Sequence, residues 1–99
     1  MTKNDFPSIV ERRLVLHDIS SGKKGEIRLV IGCPHWTDPE MEAACPVAIY
    51  GYFGRLTDIR GIDPMGALTL AIKFLDDLLK GLPANMAVYW PSGESYFEK

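Results

Sequence analysis

An α+β fold is predicted: an antiparallel three-stranded meander, one long helix packed on one face of the sheet, and a short C-terminal strand, in the order β-β-β-α-β. Three observations predict it. Residues 26–33, EIRLVIGC, alternate cleanly, with Ile27, Leu29 and Ile31 on one side and Glu26 and Arg28 on the other. Residues 61–83, GIDPMGALTLAIKFLDDLLKGLP, carry a full set of helix start and stop signals. A β-rich stretch, residues 9–18, precedes the first of these across a turn.

In residues 9–18, IVERRLVLHD, Val10, Leu14 and Leu16 share one side and Glu11, Arg13 and His17 the other, while Arg12 interrupts the first. SSGKKG, residues 20–25, reads as a turn, so the first two strands form a hairpin. Residues 47–56, VAIYGYFGRL, read as the third strand. Val47, Ile49 and Phe53 fall on one face, Tyr50 and Tyr52 on the opposite one, and Gly51 and Gly54 mark a weak point or a bulge. The helix spans 64–80: Asp63 caps it, Pro64 takes the first helical position, Lys80 lies in the last turn, and Gly81 and Pro83 follow. MAVYW, residues 86–90, is the last strand; if it ran parallel to the third, the crossover would be right-handed. PSG then turns the chain, and Tyr96 and Phe97 pair briefly or form a tail.

At about 100° per residue, Leu68, Ile72, Leu75 and Leu79 form the helix stripe expected to face the sheet, bordered by Ala71 and Leu78. Leu70 and Phe74 lie further round, beside Ala67. Thr69, Lys73, Asp76, Asp77 and Lys80, with Gly66, make a narrow polar side, so the apolar arc is wider than one sheet contact needs. The cover for Leu70 and Phe74 is expected to be the chain's own Phe6, Tyr96 and Phe97, or a second copy, or a foreign partner.

Ninety-nine residues, 46% hydrophobic and 24% charged, describe a single globular domain with a core of its own, 1–99. A net charge of -2 with scattered basic residues argues against nucleic acid and anionic lipid as partners. The N-terminal stretch MTKNDFPSIVERR has no apolar run of signal-peptide length, and no segment approaches membrane-spanning length. A cytoplasmic location with reduced thiols is the expectation.

Residues 33–47, CPHWTDPEMEAACPV, concentrate the side chains capable of chemistry. Strand parity puts Cys33 with Ile27, Leu29 and Ile31, and Cys45 with Val47, Ile49 and Phe53, so both thiols are expected in the core. Three alternatives stand beside that reading. A metal site built on Cys33, His35 and Cys45 would need Asp38, Glu40 or Glu42 as a further ligand, and the spacing lacks the paired form of zinc sites. A Cys33–Cys45 disulfide is conceivable if the strands pair. A Cys-His nucleophile would want a less acidic loop. No catalytic residue, metal ligand or cofactor is assigned. His17 reads as a solvated strand residue, Trp90 as core, and Trp36 as a contact residue. Asp58 with Arg60, or Arg55 with Asp63, reads as a surface ion pair. GYFGRLTDIRG matches no phosphate-binding loop.

Four motifs carry a resemblance: RLVIG at 28–32; C-P-x-x-I-x-G through Cys45, Pro46, Ile49 and Gly51; G-I-D-P-M-x-A-L at 61–68; and Y-W-x-S-G-x at 89–94. In these the chain resembles a family of short bacterial proteins known only as a domain of unknown function. The resemblance implies the strand-strand-strand-helix-strand fold, and it implies no catalytic or cofactor residue.

Functionally, the chain reads as a small protein-interaction module, an accessory or immunity-type protein, with Trp36, Tyr50, Tyr52, Leu70 and Phe74 as the candidate contact surface. The partner is a protein or a second copy. The alternative is a small enzyme or ligand-binding protein that uses the Cys33/His35 loop.

Overall fold

The structure is a computed structural model and describes residues 5–39 and 41–97. Among these, eight strands and one helix follow in the order β1 (Ser8–Asp18), β2 (Lys23–Gly32), β3 (His35–Asp38), β4 (Glu42–Cys45), β5 (Val47–Tyr50), β6 (Gly54–Arg55), β7 (Ile59–Gly61), α1 (Pro64–Lys80) and β8 (Met86–Tyr89). The α+β class holds, but the simple β-β-β-α-β order does not. The strands form a five-stranded sheet, β6-β5-β2-β1-β8, and a separate three-stranded sheet, β3-β4-β7.

β1 and β2 make the long hairpin, in register from Asp18↔Lys23 to Ser8↔Gly32 with a bulge between Ser8 and Val10. Its turn is tighter than SSGKKG implies, because Asp18 organises it. The Asp18 carboxylate accepts from the backbone and hydroxyl of Ser20, from the Ser21 backbone and from Asn85 Nδ2. These donors, Ser20 first and Asn85 next, pull its pKa down to about 2. The Asn85 contact ties the turn to the approach of β8, which runs antiparallel to β1, so no parallel crossover forms.

The expected third strand, 47–56, is broken. Gly51 and Gly54 have φ of 99° and 76°, a region that favours glycine, and the chain turns between them. Ile49 accepts from the Phe53 backbone N–H and pairs with Gly54. Phe53 is therefore exposed in the turn, instead of lying with Val47 and Ile49.

The helix runs Pro64–Lys80 as the sequence signals predict, with the Asp63 carboxylate accepting from the Gly66 backbone N–H at 2.6 Å. Its buried residues are Ala67, Ala71, Leu75 and Leu79. The expected stripe is thus rotated: Leu68 is half-buried, and Ile72 is 52% exposed. The reason is the second sheet. α1 packs chiefly against β7 and β4, where Ala43 and Gly61 leave room for close approach. A Cβ on Gly61 would stand 2.5 Å from the Ala67 backbone nitrogen, so strand and helix meet backbone to backbone. Alanines, rather than leucines, fit that contact.

The main core joins Leu14, Leu16, Ile27, Leu29, Ile31, Val47, Ile49 and Val88 of the large sheet to Ala43 and Cys45 of β4 and to the buried helix face. A second cluster, Val30, Ala48 and Tyr50, lies apart from this core and is packed by Phe6. Phe6 is one of the alternatives for covering the helix flank, and it packs elsewhere. It goes instead to β2 and β5, because Gly32 offers a site without a side chain, where a Cβ would meet the Phe6 ring at 2.6 Å. Tyr96 and Phe97 do pack on the main core, beside half-buried Trp90.

Candidate functional site

The helix start and the β3–β4 hairpin together build an open apolar face. β7 delivers the chain to the Asp63 cap, so Ile62 sits immediately before the cap and Met65 in the first turn. A residue before the cap usually packs on the fourth helical residue. Here that residue is buried Ala67, and Ile62 stays 80% exposed. Met65 is 78% exposed, Met41 of the β3–β4 turn 70%, and Leu70 47%. These four line one shallow groove of about 800 Å³ with Glu42, Arg60, Gly61, Asp63, Gly66 and Thr69.

Charges on the groove are organised. Arg60 pairs with Glu42 across neighbouring strands, and both side chains remain partly exposed. Thr37 Oγ1 donates to Glu42 Oε1 at 2.9 Å and holds the carboxylate in place. Asp63 is committed to the helix cap. Arg55 pairs with Asp58 at 2.8 Å, so the pairings read from the sequence, Asp58–Arg60 and Arg55–Asp63, are replaced by Arg55–Asp58 and Arg60–Glu42.

The five contact residues read from the sequence do not form one surface. Leu70 belongs to the groove. Phe74 is half-buried against the main core. Trp36 is exposed on β3, opposite Ala43. Tyr52 is exposed in the turn after β5, its ring edge-on to Phe53 at 4.6 Å. Tyr50 is only 8% exposed: its hydroxyl donates to Asp5 Oδ2 at 2.9 Å and accepts from the Asp5 backbone N–H at 2.7 Å. Burial raises its pKa above the ordinary phenol value. Met41, Ile62 and Met65 were missed. Ile62 carried a readable signal, an isoleucine before the cap with only an alanine at the fourth helical position to meet it.

The loop that begins at Cys33 has a different geometry from the one expected. β2 ends at Gly32, and Pro34 lacks the N–H that would extend the ladder, so strand parity stops before Cys33. Cys33 is exposed and Cys45 buried, both as free thiols, which corrects the expectation of two core cysteines. Cys33 Sγ donates to the Pro34 carbonyl at 3.5 Å. His35 Nδ1 lies 3.1 Å from the Cys33 carbonyl oxygen, so that nitrogen is engaged with backbone and not with the thiol. Burial, with Asp58 and Cys33 adding, pushes the Cys45 thiol up to about 11. Glu40, one of the acids considered as a ligand, lies outside the described residues. Among those described, no three His, Cys, Asp or Glu side chains converge on a point that could hold a metal ion. No helix among them is long and apolar enough to cross a membrane. His17 is half-buried, its ring 6.2 Å from that of Tyr89.

Comparison with known proteins returned no matching family model, no matching curated protein and no matching solved structure.

Proposed function

We propose that this chain is a protein-interaction module, an accessory or immunity-type protein that acts by occupying a partner's surface. The observation that carries the reading is the groove at the helix start. Met41, Ile62 and Met65 are each at least 70% exposed and stand together, with Leu70 beside them. Scattered exposed apolar residues are ordinary, whereas a contiguous group rimmed by polar side chains marks contact surfaces. Methionines suit such a face, since their flexible thioethers adapt to what they meet.

A photo-crosslinker placed at Ile62 tests the reading in the producing cell. It should capture a defined protein adduct, and the same crosslinker at exposed Ser92 should not. Equal labelling patterns from both positions would defeat it.

A further inference from the structure

We infer that the open edge of β1 accepts an extended peptide segment of a partner protein, which joins the large sheet as an added strand and seats an apolar side chain beside α1. β8 pairs with β1 only from Val15 to Asp18, so Val10 to Leu14 form a sheet edge on that side, ended by the bulge between Ser8 and Val10. The direction of the backbone groups on this edge follows from β8. The Val88 carbonyl accepts from the Tyr96 N–H and so turns away from β1. Its neighbours Ala87 and Tyr89 therefore face β1, where they meet His17 and Val15. Every second residue of β1 shares that direction. The N–H and C=O groups of Glu11 and Arg13 thus point out of the sheet, where β8 has already ended. Among the described residues, no backbone group pairs with them there. An unpaired row of this kind is a template for one more strand, and the main chain of a peptide supplies the complementary groups.

Two features say what the added strand carries. On the core face, Val10, Leu29, Ile31, Ile72 and Leu75 line a cavity of about 160 Å³ between the hairpin and α1, with Val10 and Ile72 each 52% exposed. It has room for one large apolar side chain, since a cavity of about 150 Å³ accepts benzene. On the outer face, Arg13 stands directly opposite Arg28. Glu11 pairs with Arg28 at 3.4 Å, but among the described residues no carboxylate reaches Arg13. Like charges opposed across a ladder are unfavourable, and an acid on the added strand beside Arg13 offsets them. Successive side chains of a strand alternate faces, so the segment that fits alternates apolar with acidic residues. The cavity shares no residue with the groove at the helix start.

Dye-labelled heptapeptides that alternate Glu with Val, Leu, Ile or Phe are the probes, with Lys in place of Glu as controls. Fluorescence anisotropy should show an acidic peptide binding and its lysine counterpart binding severalfold more weakly. Amide hydrogen exchange followed by NMR then locates the complex. The Glu11 and Arg13 amides should exchange fast in the free protein and slowly with the peptide bound. Arg12, which faces β2, should exchange slowly in both. Ile72→Lys should leave the fold intact and lose the peptide, and Arg13→Glu should turn the preference toward the lysine peptides. Failure of every acidic peptide to bind, or a bound peptide that leaves Glu11 and Arg13 exchanging fast, overturns the inference. Protection of both amides in the free protein that grows with its concentration would give the edge to a second copy, and overturns it too.

Discussion

The Tyr96 hydroxyl donates to Asp76 Oδ1 at 2.9 Å and ties the C-terminal segment to the helix. The same oxygen accepts from Arg12 Nη1 at 2.8 Å, and the Arg12 guanidinium lies over the Trp90 ring at 5.1 Å. One phenol therefore links β1, the C-terminal segment and α1. Tyr96→Phe keeps the ring on the core and removes both hydrogen bonds, at a cost of about 1 kcal/mol in urea unfolding. Burial, and then the bond to Asp76, raises the Tyr96 pKa above 10.0. A raised folded-state pKa means that this contribution is fully present below pH 10 and is lost as pH rises through the folded value. The gap between wild type and Tyr96→Phe should hold below pH 10 and narrow above it; a gap that is unchanged in alkali would show that the hydroxyl bonds do not matter.

The two cysteines should react very differently. In the folded protein a thiol reagent should modify Cys33 quickly and spare Cys45, and both should react in denaturant. Cys45 also makes a pH prediction. Its pKa moves from 9.0 to about 11, so its thiol form stabilises the fold fully below pH 9, and that stability is lost between pH 9 and 11. Cys45→Ala should flatten the alkaline limb of the stability curve, and an unchanged limb would assign the loss to other groups.

Phe6 and Gly32 should be energetically coupled. A Cβ at position 32 would sit 2.6 Å from Phe6 Cδ2 and 3.2 Å from the Pro46 Cβ. Gly32→Ala should displace the Phe6 ring and cost about 1 kcal/mol, with a smaller cost when Phe6 is already alanine. Additive effects in a double-mutant cycle would mean that the ring does not rest on Gly32.

What the sequence revealed, and what it hid, follows from segment length and side-chain size. The helix was legible to both ends because Asp63, Pro64 and Gly81 each act locally. The β1–β2 hairpin was legible because both strands are long, 11 and 10 residues, and Ile27, Leu29 and Ile31 keep a period of two. The second sheet was not, since β3, β4 and β7 run only 3–4 residues each and β4 is Glu-Ala-Ala-Cys, with little β preference. Missing that sheet accounts for two further errors. Without β4 and β7, nothing called for alanines on the buried side of the helix, and the strand parity of β2 was carried past Gly32 onto Cys33. Of the contact face, Leu70 was legible as surplus apolar surface. Met41 lay in a hairpin that the sequence did not announce.

The phase of the helix gives the sharpest contrast between the two readings. Hydrophobicity alone puts Ile72 at the sheet and Ala71 at the border, yet Ala71 is fully buried and Ile72 is 52% exposed. The difference is one residue, or about 100° around the helix axis. Substitutions at the two positions therefore have opposite outcomes under the two readings. Ala71→Leu forces a larger side chain into a helix face already buried in the core, and overpacking of this kind costs about 1–3 kcal/mol. Ile72→Lys extends into solvent at the rim of the groove lined by Val10, Ile31 and Leu75, and its effect should stay within about 0.5 kcal/mol. Equilibrium urea unfolding of both variants decides the matter. A tolerated leucine at 71 together with a severe loss at 72 would rotate the helix back to the hydrophobic stripe and remove the close Gly61–Ala67 contact with it.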